Sequence, residues 1–269
     1  MYPILLRFTL FEREFIISTY GVSIAVGIVL AFLFLYRHTR IITKSPFEFT
    51  TDLMFYILIP AFIGARVAFI LAEFPGFLES PMSYIFARGG FVFYGGVIFG
   101  FLGGLYYAHK VNIPYRRLAD ICTPAFGIAH FFGRIGCFLN GCCYGLAVDS
   151  NVAAPLEHLS KCGCQFYTIY ENEVYALPHL HLPTQLYEAG FALIMTFFSM
   201  YLIKRWAKKE GRLFYLYIMS YSIFRFFVEF LRGDDRGIQL FFLSFSQIIA
   251  LLLLVLLVVC RKKFIANGE

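Results

Sequence analysis

Residues 133–145 read GRIGCFLNGCCYG, so one arginine, one asparagine, three cysteines and four glycines close an otherwise apolar segment. Two more arginines, Arg66 and Arg225, interrupt apolar runs elsewhere. A guanidinium at membrane depth costs on the order of 3 kcal/mol even on lenient insertion scales, so each needs a partner. Structural pairing with a carboxylate or a backbone carbonyl is one solution. Arg225 has Glu229 at i+4, and Arg232 continues the same helical face. Arg134 has no acid near it in sequence, and Arg66 has only Glu73 at i+7. Three such cations against few acids imply an anion from outside the chain. In a membrane the obvious anion is a lipid phosphate, which a planar guanidinium grips through two hydrogen bonds.

Cys137, Cys142, Cys143, Cys162 and Cys164 crowd one stretch, while Cys122 and Cys260 lie in apolar runs. The CC and CxC spacings do not match the paired CxxC elements of a zinc ribbon, and no metal is expected. On the outer side of a bacterial membrane, disulfides are the natural outcome where such cysteines meet. The adjacent Cys142 and Cys143 would then pair with Cys137, Cys162 or Cys164 rather than with each other. Unpaired thiols, and a metal-binding or nucleophilic role, are the alternatives. His130 lies one turn before Arg134 and reads as an intramembrane histidine satisfying a carbonyl. His158, His179 and His181 carry no further signal. Gly96, Gly100 and Gly104 form a small-xxx-small stripe suited to close helix packing. The pairs Gly89-Gly90 and Gly95-Gly96 flank Phe91–Tyr94, which suggests a bent helix start presenting Tyr94 to a cavity. No Gly-rich nucleotide loop, serine elbow or HExxH occurs, so no cofactor is expected.

These residues need elements to hold them, and composition names the setting. The 269 residues are 59% hydrophobic, 20% aromatic and only 15% charged, with a mean hydropathy of +0.71. That describes an all-α integral membrane protein. A crossing takes roughly 20 apolar residues, and seven runs qualify: 15–36, 53–73, 90–109, 118–139, 183–203, 213–231 and 238–260. No cleavable leader precedes the first, so it is expected to remain. Loops 37–52, 110–117 and 204–212 and the tail from Arg261 carry 14 of the 23 basic residues. Short Lys/Arg-rich loops stay cytoplasmic, which puts the N-terminus outside and the C-terminus inside. The formal charge of +6 is this orientation signal and not a nucleic-acid footprint. The expected organisation is helices one to four over 1–139, a small loop-rich extracytoplasmic head with a short hairpin over 140–182, and helices five to seven over 183–269.

Taken together, these blocks resemble the prolipoprotein diacylglyceryl transferase family of the bacterial cytoplasmic (inner) membrane. The family pattern GRxGNFxNxExxG resembles Gly133 to Gly145. Tyr20-Gly21, GGFVFYGG at 89–96, PTQLYEA at 183–189 and YSIFRFFVEFLR at 221–232 resemble further family blocks, in the same order. The resemblance implies transfer of a diacylglyceryl group from phosphatidylglycerol to the lipobox cysteine of a prolipoprotein signal peptide, with release of glycerol phosphate. It implies Arg134 and Arg225 as the catalytic cations, with Tyr94 where the family has a histidine. It also implies substrate binding at Tyr20, Asn140, Gly145 and Tyr221, with Glu229 and Arg232 orienting Arg225; Arg66, as a cation at membrane depth, is a further substrate-binding candidate. Tyr94 departs from the family histidine, Cys137 from its asparagine and Cys142 from its glutamate. A tyrosine with a pKa of about 10 is a poor general base at neutral pH. The same lipid chemistry with another acceptor, and a non-enzymatic lipid-binding or transport protein, are therefore the alternatives.

Overall fold

The computed structural model describes residues 4–10, 13–40, 43–86, 90–148, 163–170, 173–206, 210–233, 239–240 and 243–261. Gly89, His158 and Cys162 lie outside them. The chain divides into two compact units, one formed by residues 1–31 and 119–269 and the other by 32–118.

The first unit opens with a hairpin, β1 (Ile4–Leu10) paired antiparallel with β2 (Arg13–Ser18), which runs straight into α1 (Thr19–Thr39). The first apolar run thus becomes helical at Thr19 and not at residue 15. The β-branched pair Ile16-Ile17 finds strand partners in β1 and stays extended. In α6 (Tyr115–Asn140), Phe132 packs against Gly27 of α1, and Ser23 Oγ donates to the Phe132 carbonyl at 2.7 Å. The expected head hairpin is β3 (Cys164–Tyr170) with β4 (Glu173–His181). Then follow α7 (Thr184–Arg205), α8 (Arg212–Val228), a 3-10 turn at Glu229–Leu231, the two-residue strands β5 (Gln239–Leu240) and β6 (Leu243–Ser244), and α9 (Phe245–Val259). Ser244 and Gln247 cap α9 reciprocally, which fixes its start.

Helix α7 shows the membrane pattern. Its buried face is Thr184, Gln185, Glu188, Ala189, Ala192, Met195, Thr196, Ser199 and Leu202, small or polar at every position but Met195 and Leu202. Leu193, Ile194, Phe197 and Tyr201 are exposed. Small and polar residues let backbones approach and bond inside a bundle, while apolar side chains suit lipid. Buried Asp120 ties α6 to the start of α8, because its carboxylate accepts from Gly211 N at 2.7 Å and Phe214 N at 2.8 Å. It acts as an N-cap supplied by another helix. Asp120→Ala is expected to lower stability by about 1–3 kcal/mol, since two buried amides lose their acceptor. A lower thermal unfolding midpoint in detergent reads this out, and an unchanged midpoint would rule the cap out.

In the second unit α2 (Pro46–Ala72) packs along α5 (Phe93–Lys110), with short helices α3 (Phe74–Glu79) and α4 (Pro81–Ile85) between them in sequence. The seam is glycine-lined, but its closest points differ from the expected stripe. A Cβ on Gly95 would strike the Gly64 carbonyl and one on Gly103 the Tyr56 carbonyl, whereas Gly104 would meet only Ile57 at 3.7 Å. Backbone contact therefore falls on Gly95 and Gly103, with Gly96, Gly100 and Gly104 at its edge.

Among the described residues five helices are long and apolar enough to cross a membrane: α1, α2, α6, α7 and Arg212–Leu231. Helix α5 has 18 residues and α9 has 15.

Candidate functional site

All of the site's charged residues belong to the first unit. Arg134 projects from α6 near its end, Glu188 from the second turn of α7 and Arg225 from the last turn of α8. The 3-10 turn then carries Glu229, and Arg232 follows in extended backbone. Glu188 is the hub. Its Oε2 lies 2.6 Å from Arg134 Nη2, and its Oε1 lies 3.2 Å from Arg232 Nη1 and 3.6 Å from Arg225 Nη1. Glu229 holds Arg225 Nη2 at 2.6 Å and Arg232 Nε at 3.8 Å. Ser246 accepts from Arg225 Nη2 at 3.2 Å, and Ser244 Oγ donates to Glu229 Oε1 at 2.7 Å. The cap of α9 thus also braces the ion cluster.

Among the described residues three guanidiniums face two carboxylates, one positive charge in surplus when all are ionised. Exposure says where that charge can be reached. The Arg134 side chain is 18% exposed, against 9% for Arg225, 3% for Arg232 and 0% for Glu188. Arg134 forms the accessible edge of the cluster, and the other two lie behind it.

Aromatic and thiol groups surround that edge. Tyr221 hydrogen-bonds Arg134 and meets the His130 ring edge-on at 5.0 Å. His130 Nδ1 pairs with the Tyr217 hydroxyl at 3.2 Å, so its partner is a side chain and not the expected carbonyl. Tyr20 lies against Gly136, where a Cβ would touch its ring at 3.0 Å. Asn140 hydrogen-bonds the Cys142 thiol. The sulfurs of Cys137, Cys142 and Cys143 all lie within 4.8 Å of one another. Hydrogen bonds from Cys137 and Cys142, with the Arg232 guanidinium nearby, hold the Cys143 thiol well below the ordinary thiol pKa range. Cys137, Cys142 and Cys164 are free thiols; Cys162, another expected disulfide partner, falls outside the described residues.

A backbone junction locks these pieces. Gly145 N donates to Leu182 O at 2.8 Å, Leu182 N to Leu146 O at 3.0 Å and Val148 N to Leu180 O at 2.8 Å. Leu146 N also donates to Leu231 O at 2.9 Å, and Gly145 bridges Arg232. A Cβ on Gly145 would collide with Leu231 O at 2.6 Å and the Leu182 side chain at 2.7 Å, so only glycine fits.

Arg66 and Tyr94 sit in the second unit. Arg66 Nη1 donates to Gly90 O at 3.1 Å, and its guanidinium stacks 4.4 Å from the Phe91 ring centre. Gly90 has φ 78° and Val92 N donates to Ala65 O, so the bent start of α5 is real and Arg66 fastens it. Tyr94, in the first turn, is half-buried with its ring edge toward Phe93.

Sequence reasoning singled out Arg134, Arg225, Glu229, Arg232 and Tyr221, which the structure brings together, but missed Glu188. The available signal was a carboxylate one turn into an apolar helix, within the quoted PTQLYEA block. Ser244, Ser246 and Gln185 carried no signal, because polar residues near helix starts are common.

Residues 7–261 match the family model described as prolipoprotein diacylglyceryl transferase. A phosphatidylglycerol–prolipoprotein diacylglyceryl transferase of Clostridium tetani is 31% identical over 259 residues, covering 95% of each chain. A second of that name, from Clostridium perfringens, is 33% identical over 89% of this chain and 88% of its own. One from Staphylococcus aureus is 32% identical over 90% and 84% respectively.

Proposed function

Because the chain belongs to the prolipoprotein diacylglyceryl transferase family, we propose that it transfers the diacylglyceryl group of phosphatidylglycerol to the lipobox cysteine of prolipoproteins, releasing glycerol phosphate. It is a multi-pass bacterial membrane protein. The reading includes seven crossings of the cytoplasmic membrane, with the C-terminus inside and the N-terminus and head outside, where the exported acceptor emerges, as the Lys/Arg-rich loops support.

The observation that carries this reading is the positive charge of the Arg134–Glu188–Arg225–Glu229–Arg232 cluster, one in surplus among the described residues and reachable at Arg134. A phosphodiester carries one negative charge and fits that surplus. In the reaction the acceptor sulfur bonds to the glyceryl carbon, and the bond from that carbon to phosphate oxygen breaks. Negative charge then grows on the departing phosphate. Cations already fixed in a water-poor site stabilise that charge without reorganising. Arg134 touches the phosphate, with Tyr221 beside it. Glu188 and Glu229 hold Arg225 and Arg232 at the depth where they sustain the field. Tyr20, Asn140 and Gly145 line the acceptor side next to the cysteines. Arg66 and Tyr94, at the bent start of α5 in the second unit, are further proposed lipid contacts.

Purified protein incubated with phosphatidylglycerol and a lipobox peptide should release glycerol phosphate and raise the peptide mass by one diacylglyceryl group. Release without peptide modification would assign another acceptor. Binding of phosphatidylglycerol without release would assign a lipid-binding role.

A further inference from the structure

Three thiols converge where α6 ends. Cys137 lies in its last turn, and Cys142 and Cys143 follow the turn at Gly141. Gly141 (φ 74°) and Cys143 (φ 64°) both adopt the left-handed conformation, which for a cysteine persists only when the surroundings enforce it. They do. Thr184 Oγ1 donates to the Cys143 carbonyl at 3.0 Å and Gln185 Nε2 to the Cys142 carbonyl at 2.7 Å, both side chains being fully buried. Backbone contacts from α7 therefore turn the three sulfurs toward one another, all within 4.8 Å. Zinc with Zn–S bonds of about 2.3 Å sets tetrahedral sulfurs about 3.8 Å apart, so modest side-chain rotation closes the group on a metal. Among the described residues no fourth cysteine, histidine or carboxylate joins it. These three described ligands leave a fourth tetrahedral position, the one that water or substrate takes in reactive zinc sites.

We infer that Cys137, Cys142 and Cys143 bind one zinc ion and that its open position takes the acceptor cysteine as a thiolate, an inference that rests on the transfer reaction proposed above. Coordination breaks the acceptor S–H bond, and the proton passes to water at the membrane surface. The metal-held sulfur then bonds to the glyceryl carbon while the carbon–oxygen bond to phosphate breaks, its electron pair leaving with glycerol phosphate. Zinc keeps its oxidation state throughout, and the thioether product, a weaker ligand than thiolate, departs. Three thiolates on a divalent cation sum to one negative charge and a fourth thiolate makes two. Arg134 lies one turn before Cys137 and Arg232 hydrogen-bonds Cys143, so two guanidiniums border that charge. The device also supplies what Tyr94 does not, because metal ligation deprotonates a thiol without a general base.

The test uses the full chain in detergent, reduced and loaded with Zn2+ or Co2+, with no phosphatidylglycerol present. One metal per chain is expected, with Cys137, Cys142 and Cys143 protected from alkylation in the wild-type protein. The Co2+ form should show a sulfur-to-metal charge-transfer band that grows by about one third when a lipobox peptide adds a fourth thiolate. The same peptide with serine in place of cysteine should leave the band unchanged. Cys142→Ser should lose most of the metal while retaining its size-exclusion profile. Failure of the wild-type protein to hold metal, or full alkylation of the three thiols in its presence, overturns the site. Metal binding with no response to the cysteine peptide overturns its role toward the acceptor. Because these readouts need no turnover, a failed transfer assay alongside a positive metal result would count against the proposed reaction and not against the site.

Discussion

Arg134→Ala is expected to lower transfer by about 10²–10³-fold while leaving a folded protein. The two parts of that expectation have separate causes. Arg134 is the accessible guanidinium of the cluster, so its loss removes the group that meets the phosphate. Glu188 still has Arg225 and Arg232 within 3.6 Å and 3.2 Å, so its buried charge stays compensated and the helices stay together. Arg134→Lys should recover part of the activity, since a lysine restores the charge without the two-pronged donor geometry. The checks are glycerol phosphate release and a thermal unfolding curve in detergent. Near-normal turnover in the alanine variant would remove the phosphate clamp from the mechanism.

Glu188→Gln is expected to damage the fold as well as the reaction. A buried ion network that loses one partner typically drops by about 3–5 kcal/mol, because the remaining charges are left uncompensated away from water. Glu188 is wholly buried and serves arginines from both α6 and the α8 end, so its removal takes from Arg134 the carboxylate at 2.6 Å and leaves Glu229 as the described carboxylate of Arg225 and Arg232. The expected result is a sharply lower unfolding midpoint and aggregation on size exclusion, with activity lost in whatever remains folded. A variant as stable as the wild type would mean that the arginines do not depend on this carboxylate. Comparison with Arg134→Ala separates a residue that meets substrate from one that positions others.

Much of the helical framework was legible because bilayer-length apolar runs are a strong signal. Residues 13–18 were the exception, since REFIIS is apolar enough to extend a span and is diverted only by its pairing with β1. The arginines were legible for the same reason that they are costly. The hub that joins them was not, because Glu188 is far in sequence from Arg134 and Arg225, and only the folded bundle makes them neighbours. The seam between α2 and α5 was read correctly as glycine packing but one residue out of place at its tightest points. A spacing of four cannot tell which side of a helix its partner will choose. The cysteines were visible as a group, yet their convergence depends on two left-handed residues that no spacing reveals.

The junction around Gly145 bears on how such a protein can diversify. Residues 145–148 pair with 180–182, and Leu146 and Gly145 also pair with Leu231 and Arg232. Chain leaving at Val148 and returning at Leu180 therefore passes through a stitched neck, its two strands a hydrogen bond apart. Within the excursion, Phe166 is fully buried against Phe138 and Tyr144 and the Tyr167 carbonyl meets Gly141, so β3 is held to the same frame as Arg134. Changes to the excursion that keep the neck and the Phe166 anchor are therefore expected to leave the charged cluster fixed.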